Sequence, residues 1–165
     1  MKYKVEKPYP SPRVENKNLN YAKLLLENYA GSISEDTAIH LYFYQHIILE
    51  KEYPEISHIL EEISIVEMHH LELLGETINL LGETPFFGTY TNCNVIYWDG
   101  NNVNYNMDIK NILKINMDAE REAIKNYKRN IEFIDDIYIK QLLRRIIEDE
   151  ELHLSIFESL YRKLI

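Results

Sequence analysis

Residues 55–81, EISHILEEISIVEMHHLELLGETINLL, decide the fold. Stepping alternately by four and three from Ile56 gives Ile56, Leu60, Ile63, Glu67, His70, Leu74, Thr77 and Leu81, the spacing of one helical face. Only Glu67, His70 and Thr77 interrupt an apolar stripe, so a carboxylate and an imidazole three residues apart face the core. The same walk along the last helix gives Ile139, Leu143, Ile146, Glu150, His153, Phe157, Leu160 and Leu164. Again a Glu and the His three residues later are the polar members. Each Glu-x-x-His directs two ligand groups at one point.

Two further helices are expected beside these. Ser34, followed by Glu35 and Asp36, reads as an N-cap with acids in the first turn, and that helix runs to about Glu52, where Pro54 ends it. It offers Glu35, Ile39, Tyr42, His46 and Leu49 on one face. The other helix, from about Asp108 to Ile134, offers Leu113, Met117, Glu120, Ile124, Tyr127, Ile131 and Ile134. Only Asp135 and Asp136 separate it from the last helix. The two halves match, because Glu35 has Tyr42 seven residues on and Glu120 has Tyr127 seven residues on. The lone Glu precedes the Glu of its Glu-x-x-His by 32 residues in the first half and 30 in the second. The chain therefore reads as a duplicated helical hairpin.

Ligands that meet across a hairpin lie at similar distances from its turn. Glu120 and Glu150 satisfy this about Asp135 and Asp136, at 15 residues before and 14 after. With the first turn at Tyr53 and Pro54, Glu35 lies 18 residues before and Glu67 13 after, a mismatch of about one and a half helical turns. Glu27 fits worse, so Glu35 is the preferred fourth carboxylate.

The remainder of the chain agrees with an all-α architecture. Gly and Pro number only five each among 165 residues, too few for a many-turned sandwich or barrel. A Pro-rich arm, residues 7–13, is expected to be extended, and a short helix, residues 19–29, closes at Gly31. Residues 1–33 are read as arm and short helix. Residues 34–165 are read as a four-helix bundle of two antiparallel hairpins, with a crossover at about 84–106 and a strand-like piece at 94–98. Aromatic residues of that crossover, including Phe86, Tyr90 and Trp98, are expected to pack it onto the bundle or onto a second subunit.

Charge sets the chemistry. Four carboxylates and two imidazoles buried without compensation would cost many kcal/mol, far above the roughly 1–3 kcal/mol of one unpaired neutral group. Two divalent cations neutralise the four carboxylates and bring the formal net charge from −9 to −5 by adding four positive charges. Carboxylate oxygens with one imidazole per metal suit iron or manganese, and one Glu from each of two helices with Glu-x-x-His from the other two describes a di-iron or di-manganese centre.

Segments SEDTAIHLYFYQH, EISIVEMHHLELLGE, AEREAIKNY and EDEELHLSIF resemble the ferritin-like superfamily, in particular its rubrerythrin and manganese catalase branches. The resemblance implies Glu35 and Glu120 as terminal or chelating carboxylates and Glu67 and Glu150 as bridging ones. It implies His70 and His153 as the single imidazole on each metal. It also implies an oxidoreductase acting on hydrogen peroxide or dioxygen, with a homo-oligomer of at least two chains. A single cysteine, Cys93, excludes the rubredoxin-like four-cysteine centre of typical rubrerythrins, so electrons would come from a separate donor protein or the reaction would be a dismutation needing none. Ferrous-iron oxidation and storage, as in ferritins, is the second reading, and a spore-coat structural protein that keeps the metal site is the third.

Other residues carry plainer expectations. Tyr42 and Tyr127 are read first as core residues with satisfied hydroxyls, and second as hydrogen-bond partners of a metal-bound glutamate. His46 is read as a core or hairpin-end residue, His69 as surface, and Cys93 as a bystander. Asp149 is placed to accept from His70, but Val66 at the matching place in the other hairpin breaks the symmetry and weighs against that role. With 27 acids to 18 bases and no basic block, neither nucleic acid nor an anionic membrane is an expected partner. The polar start of the chain lacks the apolar core of a signal peptide, so a soluble cytoplasmic protein is expected.

Overall fold

A computed structural model describes residues 3–92 and 94–164. Five α-helices follow in order: α1, Leu19–Ala30; α2, Glu35–Leu49; α3, Pro54–Leu80; α4, Ile109–Phe133; and α5, Ile137–Lys163. Helices α2 and α3 form one antiparallel hairpin and α4 and α5 the other, and α1 lies mainly against α3. The all-α, ferritin-like four-helix bundle expected from the two stripes is the observed architecture. Cys93 lies outside the described residues. No helix among the described residues is long and apolar enough to cross a membrane.

Local signals set the helix ends. Asn18, Ser34, Asp108 and Asp136 each cap a helix start by accepting from main-chain N–H groups of the first turn. Pro54 is the first residue of α3, where its missing N–H costs nothing. Helix α2 stops at Leu49, three residues before the expected Glu52. That difference removes the mismatch in the first hairpin: Glu35 lies 14 residues before the end of α2 and Glu67 13 after the start of α3. Glu120 and Glu150 each lie 13 residues from the ends of α4 and α5 that face their turn.

The crossover contains a small ribbon, β1, Gly88–Thr91, antiparallel to β2, Asn94–Tyr97. The strand-like reading of 94–98 thus holds, with a partner strand the sequence did not advertise. Gly88 is required there, since a Cβ on it would come within 2.4 Å of the Ile96 carbonyl oxygen. Trp98 anchors the crossover by donating from Nε1 to Thr37 Oγ1 at 2.9 Å, whereas Phe87, Tyr97 and Tyr105 stay exposed.

The apolar core divides in two. One cluster joins α1 to the C-terminal half of α3 and the N-terminal half of α5, through residues such as Leu25, Leu74, Ile78 and Leu143. The other joins α2 to the opposite halves, through Leu41, Leu60, Ile63, Leu113 and Phe157. Between the clusters lies a buried polar layer. Thr77 satisfies its hydroxyl within its own helix, donating to the Leu73 carbonyl at 2.8 Å. Gln45 and Asn116 exchange side-chain hydrogen bonds at 2.9 and 2.7 Å, tying α2 to α4.

Candidate metal centre

The polar layer is where the six residues singled out by the stripes meet. Glu35 is the first residue of α2, Glu67 and His70 come from the middle of α3, Glu120 from α4, and Glu150 and His153 from α5. None is more than 4% exposed. Their ligand atoms fall into two groups, Glu35, Glu67, His70 and Glu150 in one and Glu67, Glu120, Glu150 and His153 in the other, each group within 4.8 Å.

Glu67 and Glu150 belong to both groups because each turns one oxygen to each imidazole. His70 Nδ1 lies 2.9 Å from Glu67 Oε2, 3.1 Å from Glu150 Oε1 and 3.6 Å from Glu35 Oε2. His153 Nδ1 lies 2.9 Å from Glu67 Oε1, 3.6 Å from Glu150 Oε2 and 3.9 Å from Glu120 Oε1. Glu67 Oε1, Glu150 Oε1 and His153 Nδ1 make no hydrogen bond of proper geometry despite full burial. Such atoms are costly unless something else satisfies them, and a cation does so. The donor set fits two hard divalent ions.

The outward nitrogens fix the rings. His153 Nε2 donates to the Tyr3 carbonyl at 2.8 Å, and His70 Nε2 donates to Asp149 Oδ2 at 3.1 Å. A carbonyl and a carboxylate only accept, so each Nε2 carries a hydrogen, and it is Nδ1 of each ring that faces inward, free to ligate once its own proton is displaced. Asp149 therefore does serve His70, although the lack of a counterpart at Val66 argued otherwise. The counterpart is the main-chain carbonyl of Tyr3, which no side-chain pattern reveals. Tyr9 and Arg145, also missed, hold Asp149 in place: Tyr9 donates its hydroxyl to Oδ2, and Arg145 Nη1 lies 2.8 Å from Oδ1.

The two inward tyrosines are core residues with satisfied hydroxyls, as first read, and their acceptors are two of the candidate ligands. Tyr42 of α2 donates to Glu120 Oε1 at 2.5 Å, and Tyr127 of α4 donates to Glu35 Oε1. At the end of its hairpin His46 accepts at its main-chain carbonyl from the Ser57 hydroxyl at 2.8 Å and turns Nδ1 to the Ser57 carbonyl at 3.1 Å, and His69 pairs with exposed Glu72; neither enters the cluster.

Burial and charge perturb every member. Burial and the negative charges of Glu150 and Glu67 push Glu35 and Glu120 well above the usual carboxylate range. Burial acts the same way on Glu67, but His153 and His70 outweigh it and hold that carboxylate low. Burial opposes charge on the two imidazoles, yet the surrounding carboxylates raise both well above the ordinary histidine value. A cavity of about 170 Å³ reaches the carboxylate side of the cluster between α2 and α4, walled by Ala38, Ala119 and Ala123 with Asn102 and Asn104 of the crossover. Neither histidine lines it.

The chain is 32% identical over 124 residues to a bacterioferritin of Desulfovibrio desulfuricans, covering 74% of this chain and 65% of that protein. It is 25% identical to a probable manganese catalase of Clostridium acetobutylicum, over 92% of this chain and 75% of that protein. Among solved structures, the manganese catalase KatB of Anabaena superimposes with a TM-score of 0.86 at 25% identity, covering 99% of this chain and 81% of KatB. The Desulfovibrio desulfuricans bacterioferritin, described with a diiron site, superimposes with a TM-score of 0.74 at 27% identity, covering 87% of this chain and 78% of that one. The rubrerythrin family model matches residues 23–161, and the chain belongs to the rubrerythrin family.

Proposed function

We propose that the chain binds two iron or two manganese ions and uses them to remove hydrogen peroxide. The observation that carries this reading is the double sharing of Glu67 and Glu150 between two inward imidazoles, which gives each position one terminal Glu and one His. When bound, two such ions would supply paired one-electron changes to a small oxygen substrate. Glu35 with His70 would hold one ion, Glu120 with His153 the other, and Glu67 and Glu150 would bridge.

The surrounding residues support that substrate class. A cavity of about 170 Å³ is room for a few water-sized molecules and excludes large organic substrates. Its small alanine walls leave a narrow approach to the carboxylates, and Tyr42 and Tyr127 orient Glu120 and Glu35 from its sides. With Cys93 as the only cysteine, no four-cysteine electron donor is built into this chain. Dismutation to water and dioxygen needs no donor, and the likeness to manganese catalases favours it over donor-dependent reduction. Exposed Phe43 and Ile47 on α2 and Ile65 and Met68 on α3 support self-association into at least a dimer.

The test is oxygen evolution from hydrogen peroxide by chain loaded with manganese or with iron, without an electron donor. Evolution dependent on bound manganese is the expected result. Two bound ions with no peroxide consumption, with or without a donor, would overturn the peroxide reading. The likeness to bacterioferritins favours iron oxidation as the second reading, which a large iron-filled assembly in size measurements would support.

A further inference from the structure

The two imidazoles are anchored by different means. Asp149, which accepts from His70, sits on α5 directly before Glu150 and is fully buried. It accepts as an anion, and the hydrogen bonds from His70, Tyr9, Arg145 and the Val5 amide hold its carboxyl below the usual range against the effect of burial. Tyr3, which accepts from His153, belongs to the N-terminal arm and offers a neutral carbonyl.

The arm belongs to no helix or strand; Tyr3, Tyr9 and Val14 pack against the core clusters, Lys7 pairs with Glu148, and main-chain hydrogen bonds tie it to α5. Val5 N donates to Asp149 Oδ1 at 2.7 Å, and Arg145 donates from Nη2 to the Val5 carbonyl at 2.9 Å and from Nε to the Lys7 carbonyl at 3.1 Å. The Tyr9 ring packs 4.2 Å from the Arg145 guanidinium. A groove of about 600 Å³ runs between Tyr3, Val5 and Tyr9 of the arm and Glu62, Val66 and His69 of α3. A segment without secondary structure, beside a groove, opens at lower free energy than a packed helix.

We infer that the arm makes the two metal positions unequal, latching the His153 position and exposing its ion to exchange whenever Tyr3 lifts, while the His70 position keeps its ion. This rests on the dimetal reading above. A charged acceptor strengthens the His70 imidazole as a donor to metal and holds its orientation from within a helix. The His153 ring depends for its orientation on a carbonyl outside the bundle. Lifting the arm removes the acceptor of His153 Nε2 and frees the ring to rotate out of register.

The test follows release of Mn2+ from the loaded full-length chain into excess chelator, with protein-bound metal and paramagnetic resonance read together. The intact chain is expected to lose its ions in two phases, one ion per chain in each, and the signal of a coupled pair gives way to that of isolated Mn2+ after the first. Deleting residues 2–4 removes the Tyr3 carbonyl and leaves Val5 and Asp149 in place. It should speed the fast phase about tenfold or more, within the 10- to 100-fold range of lost outer partners, and leave the slow phase unchanged. Asp149→Asn should speed the slow phase. His153→Ala, which keeps every arm residue but removes the donor to the Tyr3 carbonyl, should retain one ion released at the slow rate.

One release phase in the intact chain, equal acceleration of both phases by the deletion, or a fast-leaving ion in His153→Ala would each overturn the inference. An intact chain that binds fewer than two ions would overturn the dimetal reading itself, a separate result seen before any release is measured.

Discussion

Tyr42 of α2 donates to Glu120 of α4 at 2.5 Å, although the glutamate seven residues before Tyr42 on its own helix is Glu35. Tyr127 makes the converse contact with Glu35. The tyrosines thus bind across the bundle, and each hairpin orients the terminal carboxylate of the other. Tyr42→Phe leaves the fully buried Glu120 oxygen without its donor. The expected cost in the metal-free chain is about 1–3 kcal/mol, the scale of a buried polar group left unpaired, read as a lowered melting temperature. Metal titration should show the loss at one position of the two.

The site's ionisation makes metal affinity and metal-free stability run in opposite directions with pH. In the metal-free chain His70 and His153 are raised above the ordinary histidine value by the carboxylates around them. The stability they contribute is complete below about pH 6.5 and is lost as pH rises through their folded values. Burial raises Glu35 and Glu120, so these also disfavour the fold as pH climbs above the ordinary carboxylate range. Melting temperature of the chelated chain should therefore fall from pH 6 towards pH 9. Affinity for Mn2+ should rise over the same interval, with protons released on binding, because the ion displaces those protons.

Ala123 lines the cavity on α4 and keeps the approach to the carboxylates open. Ala123→Leu extends three more carbons into about 170 Å³. Peroxide turnover is expected to fall by about tenfold or more, equivalent to 1.4 kcal/mol on the barrier, while bound metal per chain stays the same. A parallel loss of metal would mean that the side chain distorts the ligands and does not obstruct the approach.

Leu60 is fully buried in the cluster beneath the α2–α3 turn. Leu60→Ala should cost about 2–5 kcal/mol through lost burial and the cavity left behind. Denaturant unfolding of the metal-free chain measures this directly, and the two-ion stoichiometry should persist because Leu60 lies outside the ligand layer.

The fold was legible because the same interruption occurs twice in an apolar stripe. A Glu and a His at three-residue spacing among Ile and Leu have no other reason to face a core, and the duplicate in α5 removes coincidence. The position of Glu35 was harder to read because distance from Pro54 includes the non-helical turn after Leu49, which composition does not mark. The crossed tyrosines were invisible for a different reason, since spacing along one helix says which face a residue occupies but not which neighbour it meets. Tyr3 acts through its main-chain carbonyl, a group every residue carries, and Asp149 looked asymmetric only because its counterpart was main chain.

The contribution of ligands from both hairpins has a kinetic consequence. Each hairpin pairs residues close in sequence, and such local pairs form early because little chain entropy opposes them. Docking one hairpin on the other must close the loop from Leu81 to Asp108 and bring four carboxylates together, so in the refolding chain it is the slower step and the one charge repulsion opposes. Divalent ions held by those carboxylates would offset the repulsion, so Mn2+ added during refolding is expected to speed docking and leave hairpin formation unchanged, as stopped-flow refolding with and without the ion would read.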